Sequence, residues 1–259
     1  MNRKYKKLLS FLKKRIYNKA TTIWRFDLSQ TVLTEVYVMG ENTLKISTAI
    51  IWVAAYFGIM LFYTFLNVVV WRKAFPNHSE WINIIVIIIC AIGFICLLKS
   101  KYKINLLSNV TLTGILLAIF CSILFFLLLD KFLDPIFESV FPQSEQDYQE
   151  TIQSLIKSPV TSLLQVCLIA PIIEEILMRG FILEGLKNFY GVVGALFISA
   201  LFFAILHFNM VQTLSAFVCG IILGLLYIKT NSIPCCIIAH CGYNLISYIE
   251  NVLKMRILM

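Results

Sequence analysis

Two adjacent carboxylates, Glu174 and Glu175, and a guanidinium four residues further on, Arg179, lie inside the apolar stretch Ala170–Gly180. An ionisable group at membrane depth costs roughly 2.5–3.5 kcal/mol on insertion scales, so three within six residues point to function. The chain has 14 acids, and only Glu174 and Glu175 fall at the heart of an apolar run. Of its three histidines, His207 and His240 lie in later apolar runs, and His78 sits in a polar connection.

Helical spacing divides the labour among them. Glu175 and Arg179 are i, i+4 with the acid first, the better order for a helical ion pair. Such a pair neutralises itself and leaves Glu174, about 100° round the helix, to face a cavity. Phe203 and His207 form a second i, i+4 pair, continued by the small residues Gly191, Ala195 and Ser199. His240 and Asn244 form a third. Ala216, Gly220 and Gly224 make a small-residue face for close helix contact.

A carboxylate, two imidazoles and a carboxamide in a low-dielectric pocket suit hydrolysis by an activated water. Desolvation would make Glu174 a stronger general base towards water. His207 could share that water, and His240 and Asn244 could donate to a developing oxyanion. Phe203 reads as packing. Glu174, His207 and His240 are also candidate Zn²⁺ ligands, so metal-assisted hydrolysis stands beside the metal-free form. There is no H-E-x-x-H motif, no aspartate at the centre of an apolar run and no serine nucleophile elbow.

These residues need helices to hold them in lipid. With 59% hydrophobic and 14% charged residues and a mean hydropathy of +0.85, the chain reads as an all-α, polytopic transmembrane helix bundle. Apolar runs near 46–71, 81–98, 108–129, 159–187, 191–208, 213–228 and 232–250 give seven spans, or eight if residues 130–158 hold another crossing. The first three read as scaffold (46–129), the 130–158 stretch as an acidic polar loop, and 159–250 as the catalytic core. Glu174 falls roughly 22 Å along the fourth run, provided that helix continues past Gly180.

The net charge of +8 is a property of the N-terminal tail: residues 1–25 hold nine basic residues and no acid, which leaves −1 for the remainder. Residues 1–45 are expected to include a basic amphipathic helix on anionic headgroups, with no nucleic-acid partner. Basic loops place the N-terminus in the cytoplasm. All eight cysteines fall in apolar runs, with no disulfide or C-x-x-C spacing.

Glu174-Glu175-x-x-x-Arg179, Phe203-x-x-x-His207 and His240-x-x-x-Asn244, in order on separate apolar runs, resemble the signature of CPBP intramembrane proteases. These are the CAAX-prenyl-endopeptidase and bacteriocin-processing (Abi) proteins. The resemblance implies a water-activating Glu174 beside His207, an oxyanion pair in His240 and Asn244, and a structural Glu175–Arg179 pair. It implies an intramembrane endopeptidase acting on a peptide or membrane-protein precursor. A non-proteolytic bacteriocin-immunity or scaffold protein is the alternative within the same family. The Ile- and Lys-rich composition suggests a bacterial cell membrane, where a prenylated substrate would not be expected. Substrate and oligomeric state stay open.

Overall fold

The computed structural model describes residues 43–258 other than Ser108. The expected basic amphipathic helix lies outside those residues, apart from positions 43–45. Among the described residues there are helices and no strands. We number them α1 (Ile46–Ala74), α2 (Ser79–Lys101), α3 (Leu112–Val140), α4 (Pro142–Lys157), α5 (159–190), α6 (192–205), α7 (Met210–Thr230) and α8 (Ile233–Leu258). Residues 159–205 run without a loop, and Gly191 alone (φ 72°, ψ 166°) turns the chain from α5 into α6. That left-handed φ is open to glycine at no steric cost.

Five helical stretches are long and apolar enough to cross a membrane: α1, α2, α3, the combined 159–205 and α7. The apolar face of these helices is turned outwards, as in Ile51, Ile89, Phe120 and Val193, all exposed. The buried interior holds one hydrophobic cluster that joins α1, α3, α5, α7 and α8.

Two expectations about elements change. The acidic stretch 130–158 is not a loop: α3 carries on through Asp130 and Asp134 to Val140, and α4 follows at once. Pro142 sits at the start of α4, where a missing N–H costs nothing, and Pro135, inside α3, follows a wide turn at Phe126–Leu133. The run expected at 191–208 ends as a helix at Ile205, so His207 lies beyond it.

The fourth helix does continue past Gly180, and the glycine has a packing reason. A Cβ there would meet Ile233 Cδ1 at 2.6 Å and Ile104 Cγ2 at 3.2 Å. Gly220 is similarly tight, with Ala200 Cα 3.0 Å from where its Cβ would be. Gly220 and Gly224 thus bring α7 against α6, as the small-residue face predicts.

Wide turns bonded i to i+5 interrupt α5 at Gln165–Ile169 and Ile176–Leu183, on either side of the Glu174–Glu175 pair. Such turns are rare and concentrate at functional sites. The first precedes Pro171, whose missing N–H and bulky ring do not fit a regular helix interior. The Ala170 N–H bonds the Gln165 carbonyl, five residues back. In that register the Val166 carbonyl is paired with position 171, where proline has nothing to donate. The amide of Asn244 in α8 fills the vacancy at 2.9 Å.

α8 is also tied by Tyr248 Oη to the Pro159 carbonyl (3.0 Å) and by Tyr243 Oη to Asp130 (2.7 Å). Ser122 of α3 donates to the Ala239 carbonyl (3.0 Å). Ser199 of α6 donates to the Met178 carbonyl of α5 (2.9 Å).

Gly180→Val should destabilise the folded bundle by about 1–3 kcal/mol through overpacking against Ile233. Gly93→Ala, where nothing lies within 4 Å of the new Cβ, should raise stability by up to about 1 kcal/mol through helix propensity. Thermal unfolding of both variants in one detergent measures the contrast.

Candidate active site

Glu175 and Arg179 are both fully buried, and their expected ion pair forms at 2.8 Å between Oε1 and Nη1. The pair does more than cancel charge within α5. Arg179 Nη2 donates to the Gly220 carbonyl at 3.1 Å, and its Cζ lies 4.9 Å from the centre of the Phe203 ring. The close approach at Gly220 is what brings an α7 carbonyl within reach. Arg179 therefore ties α5, α6 and α7 together with a charge-assisted bond and a cation–π contact.

The same Glu175 Oε1 takes a second bond, from His240 Nδ1 at 2.9 Å. A carboxylate accepts only, so Nδ1 carries the proton and Nε2 is the free face of the ring. That Nε2 points to Glu174, whose Oε2 lies 3.9 Å away. The gap is too long for a direct hydrogen bond. Glu174 and His240 are 8% and 4% exposed, so they face each other in a nearly enclosed space.

Phe203 sits between the two histidines, edge-on to His207 (5.2 Å between ring centres) and to His240 (5.5 Å). Its expected packing role takes this form, and its ring also faces Arg179. His207 is held in the turn after α6 by its own backbone: its N–H bonds the Ala204 carbonyl (3.0 Å), and its carbonyl accepts from Thr213 Oγ1. Asn209, which caps α7 through the Gln212 N–H (3.2 Å), closes that turn. His207 Nδ1 faces the Phe203 carbonyl at 3.1 Å, so Nδ1 is again the protonated nitrogen and Nε2 is free.

One cavity of about 360 Å³ collects Glu174, Phe203, His207, His240 and Asn244 on its wall. Glu175 and Arg179 stand behind this wall. Asn244 is placed differently from expectation: one amide N–H is committed to the Val166 carbonyl, which leaves the second for the cavity. The zinc option does not fit well. Among the described residues, no three His, Cys, Asp or Glu side chains form a group able to hold a metal ion. Glu174, His207 and His240 are no exception. All eight cysteines are free, and five of them are buried.

Residues 156–246 match the family model for type II CAAX prenyl endopeptidase Rce1-like proteins. Over that segment the chain is similar to CAAX-type proteases. No curated protein and no solved structure matches the chain. The matched segment starts just before α5 and ends inside α8, so it contains all seven residues from Glu174 to Asn244 discussed above. Five helical stretches long and apolar enough to cross a membrane make the protein an integral membrane protein.

Sequence reasoning treated the first three runs as scaffold, and here the structure differs. The cavity wall also includes Tyr56, Met60 and Tyr63 of α1, and Asp134 and Glu138 of α3. The α1 set is spaced i, i+4, i+7, a one-face pattern visible in the sequence. The acids of α3 were obscured by the assumption that the helix ended at residue 129. Gln165, Gln212 and Ser215 line the cavity too, and Ser215 bonds Asp134.

Removing one partner of a buried ion pair strands the other, at a cost of about 3–5 kcal/mol. Glu175→Gln and Arg179→Met should each lower thermal stability by that order, measured in detergent. The double variant should recover much of the stability, because no charge is left unpaired. A double variant no better than the sum of the single losses would show that the pair is not the energetic unit.

Proposed function

We propose that this protein is an intramembrane endopeptidase that hydrolyses a peptide bond of a peptide or membrane-associated precursor, with Glu174 activating the water. The observation that carries this reading is the opposed placement of Glu174 and His240. Their reactive atoms face each other across 3.9 Å at the wall of a cavity, with His240 fixed from behind by Glu175.

The steps follow from the side chains. Glu174 takes a proton from water as the water oxygen attacks the scissile carbonyl carbon. The carbonyl electron pair moves to oxygen, and His240, which enters the step as an imidazolium with its Nδ1–H on Glu175, donates its Nε2–H to that oxyanion. Glu175 stabilises the imidazolium, as a buried carboxylate does behind a catalytic histidine. The second amide N–H of Asn244 supports the same oxygen. His207 Nε2 accepts from the attacking water and orients it. The C–N bond then breaks, and Glu174 returns its proton to the amine that leaves. No step runs through a metal ion.

Seven crossings, with a cytoplasmic N-terminus in a bacterial cell membrane, complete the reading. In that setting the substrate would be a peptide or a membrane-protein tail without a prenyl group.

Wild type and Glu174→Ala, in lipid nanodiscs, are to be compared on a panel of internally quenched hydrophobic peptides. Co-expressed candidate precursors are followed in parallel by mass spectrometry. Cleavage should fall at least about 10³-fold in the variant, with its melting temperature retained, while His240→Ala should cost about 10²–10³-fold. Undiminished cleavage in Glu174→Ala removes the mechanism. Absence of cleavage by either form, with the cellular phenotype intact in both, leaves an immunity or scaffold protein.

Chelators supply a separate check. A rate unchanged by 1,10-phenanthroline is expected. Loss of activity that added Zn²⁺ restores would put the metal back on Glu174, His207 and His240.

A further inference from the structure

α1 lies outside the segment that matches the family, yet it delivers a polar group to the cavity. The helix runs antiparallel to α5. Near its start, the Leu44 N–H bonds the Gly185 carbonyl (2.9 Å), and further along Trp52 stacks edge-on to Phe181 at 5.9 Å. One turn beyond Trp52, the register places Tyr56 opposite the stretch of α5 that contains Ile173, Glu174 and Leu177.

Tyr56 is 4% exposed. Its ring packs tilted on Phe94 at 5.6 Å, beside the Trp52 and Phe181 rings, in surroundings that would accept phenylalanine equally well. The hydroxyl is therefore surplus to packing. It has no hydrogen-bond partner among the described residues, although buried hydroxyls are partnered as a rule. It also lies on the wall of the same cavity as Glu174 and His240. A group so placed has to be satisfied by what occupies the cavity.

Building on the endopeptidase reading, we propose that Tyr56 is a further catalytic residue, whose phenol O–H donates a hydrogen bond to the carbonyl oxygen of the scissile bond as it becomes an oxyanion. One Asn244 N–H is committed to the Val166 carbonyl, so His240 and Asn244 offer the oxyanion one donor each. A phenol on the cavity wall adds a third. Tyr56 keeps its proton throughout: water supplies the proton that Glu174 carries to the leaving amine, and the phenol contributes only a hydrogen bond. That bond strengthens as charge develops on oxygen, so its effect falls on kcat and not on substrate binding.

The experiment uses an internally quenched peptide that the wild-type protein cleaves in nanodiscs, and compares wild type, Tyr56→Phe and Glu174→Ala. Tyr56→Phe should lower kcat about 10²-fold and leave KM within about twofold. The variant should melt at or above the wild-type temperature, since a buried unpaired hydroxyl is removed. The same peptide carrying a phosphonate at the scissile position should lose affinity for Tyr56→Phe by a similar factor. A kcat within about twofold of wild type in Tyr56→Phe, alongside inactivity of Glu174→Ala, overturns the role of Tyr56 and leaves the endopeptidase intact. A lowered kcat with a lowered melting temperature and unchanged phosphonate affinity makes the hydroxyl structural, which also overturns it. Full activity in Glu174→Ala removes the endopeptidase mechanism itself. So does a panel in which the wild type cleaves nothing, and the Tyr56 proposal falls with it.

Discussion

The site depends on a single carboxylate oxygen. Glu175 Oε1 accepts from Arg179 on its own helix and from His240 on α8, at 2.8 and 2.9 Å, where no solvent reaches. A carboxylate in that position is costly unless its charge is matched and its lone pairs are used. Arg179 matches the charge, and the two donors use the lone pairs of Oε1, while Glu175 Oε2 and Arg179 Nε are buried without a hydrogen-bond partner. Because Arg179 continues to the Gly220 carbonyl and the Phe203 ring, the requirement to neutralise Glu175 fixes the relative positions of α5, α6, α7 and α8. The adjacent Glu174 inherits that order. It sits on a helix whose rotation is already decided, and it faces an imidazole whose proton is already placed.

A second constraint acts on α5 itself. Pro171 stands three residues before Glu174, inside a membrane helix, where an unpaired carbonyl cannot be repaired by water. The wide turn at Gln165–Ile169 accommodates the ring, and Asn244 takes the carbonyl that is left over. Irregular backbone next to the reactive glutamate is thus sealed by a side chain from α8, four residues beyond His240. The proline, the wide turn and the asparagine form one unit. Their shared effect is to lock α8 at the height where His240 meets both glutamates.

Much of this was legible in the sequence, because charge in an apolar run is a conspicuous signal and i, i+4 spacing is a reliable one on a helix. Glu175–Arg179 and the small-residue face at Gly220 and Gly224 follow from those two rules alone. What the sequence hid has identifiable causes. The wide turns shift helical register by a residue, and no local pattern announces them beyond Pro171. His207 keeps the i, i+4 relation to Phe203 even though its helix has ended, since one further turn of bonded backbone carries it. Asn244 reads as a donor to substrate because nothing local reveals that Val166 lacks a partner. Asp130, Asp134 and Glu138 look like the edge of a loop by composition, yet α3 continues because Tyr243 and Ser215 receive the two aspartates.

That continuation of α3 bears on how hydrolysis can proceed among apolar helices. The reaction consumes one water per bond, and hydrocarbon supplies none. The cavity that carries Glu174 and His240 also has Asp134, Glu138, Tyr148, Gln212, Ser215 and Asn251 on its wall. Such a lining is expensive unless it holds water or a polar ligand, so it suits a cavity that keeps water beside the glutamate. Met60, Ile87 and Ile173 add apolar side chains to the same lining. Polar and apolar side chains thus share one wall with Glu174, and the low dielectric of the bundle around it strengthens any charge that acts there.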